Sequence, residues 1–464
     1  MTGRAIVIGG GLAGIAAALD LAATPGTQVT LLEVRPRLGG AVYSFERDGA
    51  LIDNGQHVFL RCCTAYRALL ARIGGEVGTR LQPRLEIPVL SPGRPRAVLR
   101  RSALPAPLHL SSTLLRYPLL SRADRLRAAR AALALGRVDP QDPANDQRTF
   151  GDWLAARGQG RAAVAALWDL IALPTLNVRA AEASLALAAF VFRTGLLSDR
   201  AAGDIGLHEA PLLDIVGRPA LAALRAAGVE VHLRRPVRAV RAPAEGRACF
   251  EVEAAGERFE GDAVVLAVPH QRVEALLPTG ALEGLRRPGA LESSPIVNVH
   301  VRYDRPVLCE AFAAGVGTPV QYVFDRSAAA GLERGRYVAI SLSGAQAEME
   351  CSNEELEARF VAALAELLPR ARTARVQTVV VSREHAATFR ASPGVAAKRP
   401  GPHTRVPGLI LAGSWTDTGW PATMEGAVRS GELAARLASE FLHGTGSNQT
   451  PARAGGSTPV EALA

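Results

Sequence analysis

The sequence predicts an α/β fold in which a central parallel sheet is interleaved with an α+β domain, and three observations carry that expectation. Residues 5–8 form a short apolar, β-branched run that ends in Gly9-Gly10-Gly11-Leu12-Ala13-Gly14. An Ala- and Leu-rich helix over 12–23 and a strand over 28–32 that stops at Glu33 follow, which completes a βαβ unit. Two further buried strands, 262–268 and 408–413, lie far along the chain, the second ending in glycine. Between them, residues 293–303 alternate as a half-buried strand, 321–324, 337–343 and 376–382 continue a sheet, and 354–367 read as a helix.

Each part of the first unit has a physical reason. Gly9 permits the tight turn, Gly11 lets the backbone approach a pyrophosphate, and Gly14 lets helix and strand pack closely. The helix start presents unpaired N–H groups and partial positive charge to phosphates. Glu33 is placed to accept hydrogen bonds from both hydroxyls of an adenosine ribose. The unit reads as a Rossmann-like dinucleotide site, and alone it does not separate FAD from NAD. Gly39-Gly40 would let the backbone pass close to a ligand seated on the first loop.

A length of 464 residues suits two domains or an interleaved pair, and 48% hydrophobic residues supply an ample core. The dinucleotide-binding half is expected to be discontinuous, over 1–80, 205–287 and 395–443. Residues 81–204 and 288–394 form the substrate and membrane-contact half, and 444–464 a disordered tail rich in Gly, Ser, Thr and Pro. The net charge of +9 is spread along the chain, and no basic patch is interleaved with aromatics, so nucleic acid is not expected as a partner. No signal peptide is expected before a strand that starts so early, and no uncharged apolar run is long enough to span a bilayer. Cys62, Cys63, Cys249, Cys309 and Cys351 lack paired spacing, so neither a metal site nor a disulfide framework is expected, in keeping with a reducing cytoplasm.

After Glu33 a hairpin is expected with its turn near Asp48-Gly49, then a loop at Asp53-Asn54-Gly55-Gln56-His57, then a helix over 64–73 stopped by Gly74-Gly75. Residues 103–135 interleave leucines (Leu108, Leu115, Leu120) with arginines (Arg116, Arg122, Arg125, Arg130). They read either as a basic amphipathic segment lying in a membrane interface or as an ordinary helix covering a core. Helices over 149–172 and 180–192 are expected to be separated by Pro174. A helix over 212–227 leads to a strand at 229–233, an antiparallel excursion follows over 237–260, and a last helix begins at about Ala422.

The N-terminal unit, Arg37-Leu38-Gly39-Gly40, and the segment from Gly413 to Gly431 together resemble the FAD-dependent amine oxidase and phytoene desaturase superfamily. Two blocks, DNGQHVFLRCCTAYRALL (53–70) and WTDTGWPATMEGAVRSG (415–431), resemble more narrowly the hydroxysqualene dehydroxylases. The resemblance implies noncovalent FAD. Gly9, Gly11, Leu12, Ala13 and Gly14 would meet the pyrophosphate, Glu33 and Val34 the ribose, and Val237 the adenine. Arg35, Arg37, Gly40 and Ala41 make up the second glycine element. Gly55, Gln56, His57, Gly413, Asp417, Thr423, Met424, Glu425 and Ala427 would surround the ribityl chain and flavin ring. Three positions depart from the superfamily pattern: Ala41 replaces an arginine, Ser414 replaces an acid, and Thr423-Met424 lacks the aromatic that cages amines, which argues against an amine substrate.

The resemblance further implies reductive removal of a hydroxyl from the polyprenoid hydroxysqualene, giving squalene for triterpenoid or hopanoid biosynthesis. Hydroxide leaves only when protonated, so an acid or a water has to reach it. His57 and Asp53 are the candidate catalytic residues; the alternatives are a hydrogen-bonded loop histidine and a turn or capping aspartate. Trp415 and Trp420 either flank the flavin or pack a loop. The expected partners are the substrate, a hydroxysqualene-forming synthase and, through residues 103–135, the inner face of the cell membrane. Two other readings stay open: a carotenoid desaturase or isomerase using flavin oxidatively, and a non-catalytic FAD protein that binds a prenyl lipid or a synthase.

Overall fold

The computed structural model describes residues 3–47, 50–244 and 248–444. The expected turn at Asp48-Gly49 and the tail beyond Gly444 lie outside these residues. Five strands pair in parallel in the order Glu230–Leu233, Thr27–Glu33, Gly3–Ile8, Ala263–Leu266, Leu409–Leu411. The first strand of the chain sits in the middle, which is why residues 5–8 are apolar without alternation. Ala5 and Val7 pack with the helices Leu12–Ala22 and Met424–Leu442, while Ile6 and Ile8 join the core on the opposite face. The two helices touch closely enough that a Cβ on Gly431 would stand 2.1 Å from the Ala13 carbonyl oxygen.

A second sheet has seven strands in the order Val376–Phe389, Ser293–Tyr303, Tyr337–Ser343, Tyr322–Asp325, Phe312–Gly315, Glu86–Leu90, Ala97–Arg100. Its neighbours are antiparallel except for Phe312–Gly315 against Glu86–Leu90. Strand period places Val297, Val299, Val301 and Tyr303 in one core with the helix Asn353–Leu367. Asn298 and His300, also buried, point the other way. Asn298 Nδ2 donates to the Asn54 carbonyl at 2.9 Å, so that face meets the loop after the hairpin Ser44–Arg47/Ala50–Asp53. A small sheet of Val58–Leu60, Ile205–His208 and Thr79–Leu81 closes the other side of the loop.

Helices cover the second sheet, and two expectations change here. Pro174 does not separate two helices: it lies inside Asp169–Leu176, which ends on left-handed Asn177. A proline inside a helix removes the bond to the carbonyl four residues back. That carbonyl, Leu170, instead accepts from the Tyr322 hydroxyl at 2.7 Å. The stretch 103–135 is not continuous: a 3-10 turn, Leu108–Leu110, leads into a short helix, Ser111–Arg116, and a separate helix Arg122–Leu135 is started by Ser121, whose hydroxyl accepts from Asp124 N. Tyr117 and Leu120 are buried, whereas Leu108 and Leu115 are 54% and 69% exposed, and Leu104, Leu126 and Leu133 are exposed as well. Among the described residues no helix is long and apolar enough to cross a membrane. The helix expected over 64–73 is observed at Thr64–Ile73, ending on left-handed Gly74. The last helix begins at Met424, later than expected, because the Thr423 hydroxyl caps it by accepting from Gly426 N at 3.1 Å.

Candidate functional site

The first glycine loop is built almost entirely of backbone. Gly9 has φ +107°, and a Cβ there would lie 2.4 Å from the Ala267 carbonyl oxygen; a Cβ on Gly14 would lie 1.8 Å from that of Gly9. Leu12 and Ala13 bury their side chains in the core, so only their backbone faces the loop. Gly39 N donates to the Gly10 carbonyl at 2.8 Å, and a Cβ on Gly40 would come within 2.8 Å of Gly11 Cα. The second glycine element is thus stitched to the first. Glu33 closes the turn: Oε2 accepts from Gly10 N at 2.5 Å and Oε1 from Arg35 N at 2.8 Å. Arg235 N donates to the Glu33 carbonyl and Arg234 N to that of Arg35, which brings the start of the strand Val237–Arg241 alongside the acid. Val34 is 59% exposed and Ala41 exposed beside this loop. Arg37 stacks 3.6 Å over the Tyr43 ring and donates to the Gly40 carbonyl at 3.2 Å, and burial holds its pKa below the ordinary guanidinium value.

From Tyr43 the contacts cross to the second sheet. The Tyr43 hydroxyl and Asn54 Nδ2 both donate to Glu384 Oε1, at 2.8 and 3.0 Å, and Asn54 Nδ2 also reaches the Ala41 carbonyl at 2.9 Å. Asp53 is buried beside them. Its Oδ1 accepts from Ser44 Oγ at 2.6 Å and Leu212 N at 3.0 Å, and its Oδ2 accepts from Arg326 Nη2 at 2.5 Å. Burial raises the Asp53 pKa, with Arg326 opposing the shift. Arg326 also donates to the carbonyls of His208 and Ala210. Both oxygens of Asp53 are therefore engaged in holding three segments together.

Gly55, Gln56 and His57 follow. The His57 carbonyl lies 2.7 Å from His208 Nδ1. A carbonyl only accepts, which assigns the His208 proton to Nδ1 and makes its Nε2 the acceptor of the Tyr66 hydroxyl at 2.8 Å. Burial lowers the pKa of His57 to about 4 and of His208 to about 3, so both are neutral imidazoles at ordinary pH. Three buried polar atoms here have no partner within the protein: Gln56 Nε2, His57 Nε2 and Asn298 Oδ1.

The C-terminal segment supplies the other wall. Gly413, at φ +141°, donates its N–H to Ser430 Oγ at 2.8 Å. Trp415 is buried with its Nε1 on the Val268 carbonyl, and Trp420 packs edge-on against Phe190. Asp417 is exposed and pairs with Arg286 at 3.5 Å. Glu425 turns its carboxylate away into the start of the helix Thr64–Ile73, accepting from Ala65 N, Tyr66 N and Arg429 Nε, so the helix end shows a ligand only backbone and the half-buried Thr423, Met424 and Ala427. Sequence reasoning gives no role to Asn54, His208, Asn298, Arg326 or Glu384. Asn298 and His300 left a signal, two polar residues in step within a valine-rich strand; an isolated arginine or glutamate leaves none. Among the described residues no group of side chains could hold a metal ion.

Residues 12–439 match the profile of the flavin containing amine oxidoreductases. The chain is 32% identical to the hydroxysqualene dehydroxylase of Rhodopseudomonas palustris, over 93% of this chain and 97% of that protein. It is 29% identical to that of Sinorhizobium fredii over the same shares. A solved structure of wild-type putrescine oxidase bound to putrescine superposes with a TM-score of 0.68, covering 94% of this chain and 98% of that one; at 23% identity this likeness speaks to the fold.

Proposed function

We propose that the chain, which belongs to the flavin containing amine oxidoreductases and within them to the hydroxysqualene dehydroxylase family, converts hydroxysqualene to squalene by reductive dehydroxylation. It is an FAD-dependent oxidoreductase. The observation that carries the reaction is the likeness to a hydroxysqualene dehydroxylase from end to end of both chains.

The residues fit FAD at both ends of the site. A Cβ on Gly11 would enter open space, with only Gly40 Cα, at 3.7 Å, near it beyond its chain neighbours, and the orphaned Gln56 Nε2 marks the far end as built for a bound group. In this reading the loop from Gly9 to Gly14 holds the pyrophosphate and Glu33 the ribose, with Val34, Arg35, Arg37, Ala41 and Val237 around them. Gly413 and the helix start at Thr423, Met424 and Ala427, with only the backbone of Glu425, would lie along the ribityl chain and ring, where the helix end favours negative charge. The chemistry that bound, reduced FAD supplies there is hydride donation. The departing oxygen requires a proton. His57, neutral at working pH, acts as a hydrogen-bonding group rather than a cationic acid, and we assign Asp53 to anchoring its loop.

Anaerobic incubation of the holoenzyme with hydroxysqualene and a flavin reductant, followed by mass analysis, tests the reading. Squalene is the expected product. Consumption of phytoene instead, with hydroxysqualene untouched, would replace it with a desaturase; a bound flavin indifferent to both would make the chain a binding protein. Peripheral membrane contact is part of the proposal, resting on exposed Leu108 and Leu115 beside Arg116 and Arg125. Replacing both leucines by serine should reduce pelleting with anionic liposomes severalfold; unchanged pelleting would remove that part.

A further inference from the structure

We propose that Asn298 and His57 form a seat for one oxygen atom beside Gly55, that the hydroxyl of the substrate occupies it, and that this seat selects a polyprenoid alcohol over the corresponding hydrocarbon. The identity of the alcohol rests on the reaction proposed above; the seat itself rests on geometry. The point where a Cβ on Gly55 would stand lies 3.5 Å from Asn298 Nδ2, 3.7 Å from His57 Nε2 and 3.9 Å from Asn298 Oδ1, and no other atom beyond its chain neighbours is closer than these. Asn298 is fully buried. Its amide orientation is determined, because Nδ2 donates to the Asn54 carbonyl, and that leaves Oδ1 as an acceptor with nothing to accept. His57 Nε2 is likewise shut off from solvent without a partner.

Two orphans of this kind at one spot define what satisfies them. A hydroxyl has one proton to donate and lone pairs to receive one. Oδ1 takes the proton, and in the neutral tautomer that carries its proton on Nε2, His57 donates to the oxygen. Burial keeps His57 in that neutral form. An ammonium group, which only donates, leaves Nε2–H facing a donor. A hydrocarbon leaves both atoms unpaired, and a site built to bond a hydroxyl discriminates strongly against the analogue that lacks it. The anchor of the seat is rigid: Asn54, whose carbonyl holds Asn298, also accepts from Ser382 Oγ at 3.0 Å and donates to Glu384.

Binding to the oxidised holoenzyme separates the seat from the reaction, since no reductant is present. Hydroxysqualene and squalene in identical micelles are titrated against the flavin absorbance. Wild type is expected to prefer the alcohol by at least about tenfold, roughly one good hydrogen bond. Asn298→Leu should reduce that preference to about twofold while leaving squalene affinity within about twofold. Gly55→Ala should also lower the preference, by placing a methyl in the seat. Gly55 is not in a left-handed conformation and the methyl meets only ordinary contacts, so every side chain stays in place. Melting temperature and flavin content accompany each variant; if Asn298→Leu fails to fold, Gly55→Ala decides. A wild type indifferent to the hydroxyl, or variants that keep the preference, overturns the seat even if hydroxysqualene is turned over. A preference without turnover overturns the reaction and leaves the seat standing.

Discussion

The two ends of the site are made of different material. At the glycine end, backbone meets backbone: Gly9, Gly14 and Gly40 leave no room for a Cβ, and Glu33 is already bonded to the loop it closes. At the other end, side chains from Asp53, His208, Asn298, Arg326 and Glu384 converge from segments far apart in sequence, and three polar atoms remain unpaired. In the proposed reading the first end would recognise what every dinucleotide shares; its backbone is closed on itself, and Arg235 Nε is a buried polar atom left without a partner there. The second end is completed by the ligand, which is where specificity for one reaction has to reside.

Three substitutions or conditions test this contrast. The largest effect is expected from Gly14→Val. Its Cβ would collide with the Gly9 backbone, which no rotamer relieves, so strand and helix have to part. The loss should exceed about 5 kcal/mol, and the chain should purify without flavin colour, read as the ratio of flavin to protein absorbance. A yellow variant of normal stability would show that the backbone end tolerates more than its geometry allows.

Next comes Arg326→Met, which leaves Asp53 buried and unpaired. About 3–5 kcal/mol should be lost in urea unfolding at pH 7. The carboxyl of Asp53, already raised by burial, should rise further without Arg326. A raised acid binds more protons folded than unfolded, so stability falls as pH rises past its unfolded pKa. The variant should therefore regain stability on acidification from pH 7 to 5 relative to wild type. Adding Asp53→Asn should recover part of the loss; if it recovers nothing, the ion pair is not what binds the three segments.

The smallest effect per residue is a property of wild type. His57 and His208 fall from 6.5 to about 4 and about 3 on folding. A depressed base binds fewer protons folded than unfolded, so its contribution is full above pH 6.5 and is lost as pH falls. Each should cost about 2 kcal/mol between pH 6.5 and 5, seen as a steep drop in the urea midpoint. The glycine end has no such group, so a flat profile would mean that the far end is open to water.

Legibility in the sequence follows the same divide. The βαβ unit, the acid at Glu33 and the helix Thr64–Ile73 with its Gly74 stop depend on residues adjacent in the chain, and spacing reports them. Pro174 misled because the carbonyl it frees finds Tyr322, some 150 residues on. The stretch 103–135 breaks into separate helices, and its leucines divide between core and solvent according to neighbours that periodicity does not see. Asp53 looked like a turn residue or a catalyst, and nothing local pointed to Arg326. Glu425 looked like a ligand to the cofactor, yet its carboxylate serves another helix.

The parallel sheet has a consequence for biosynthesis. Its middle strand is made first, but the edge strand Leu409–Leu411 and the helix Met424–Leu442 that covers Leu12–Ala22 come near the end. At about 5–20 residues per second, the roughly 400 residues between Ile8 and Leu409 take roughly 20–80 s to emerge. For that interval the nascent βαβ unit shows the ribosome-side world an apolar face that its own last helix has yet to cover, and a chaperone that binds there would hold the unit until that helix is released.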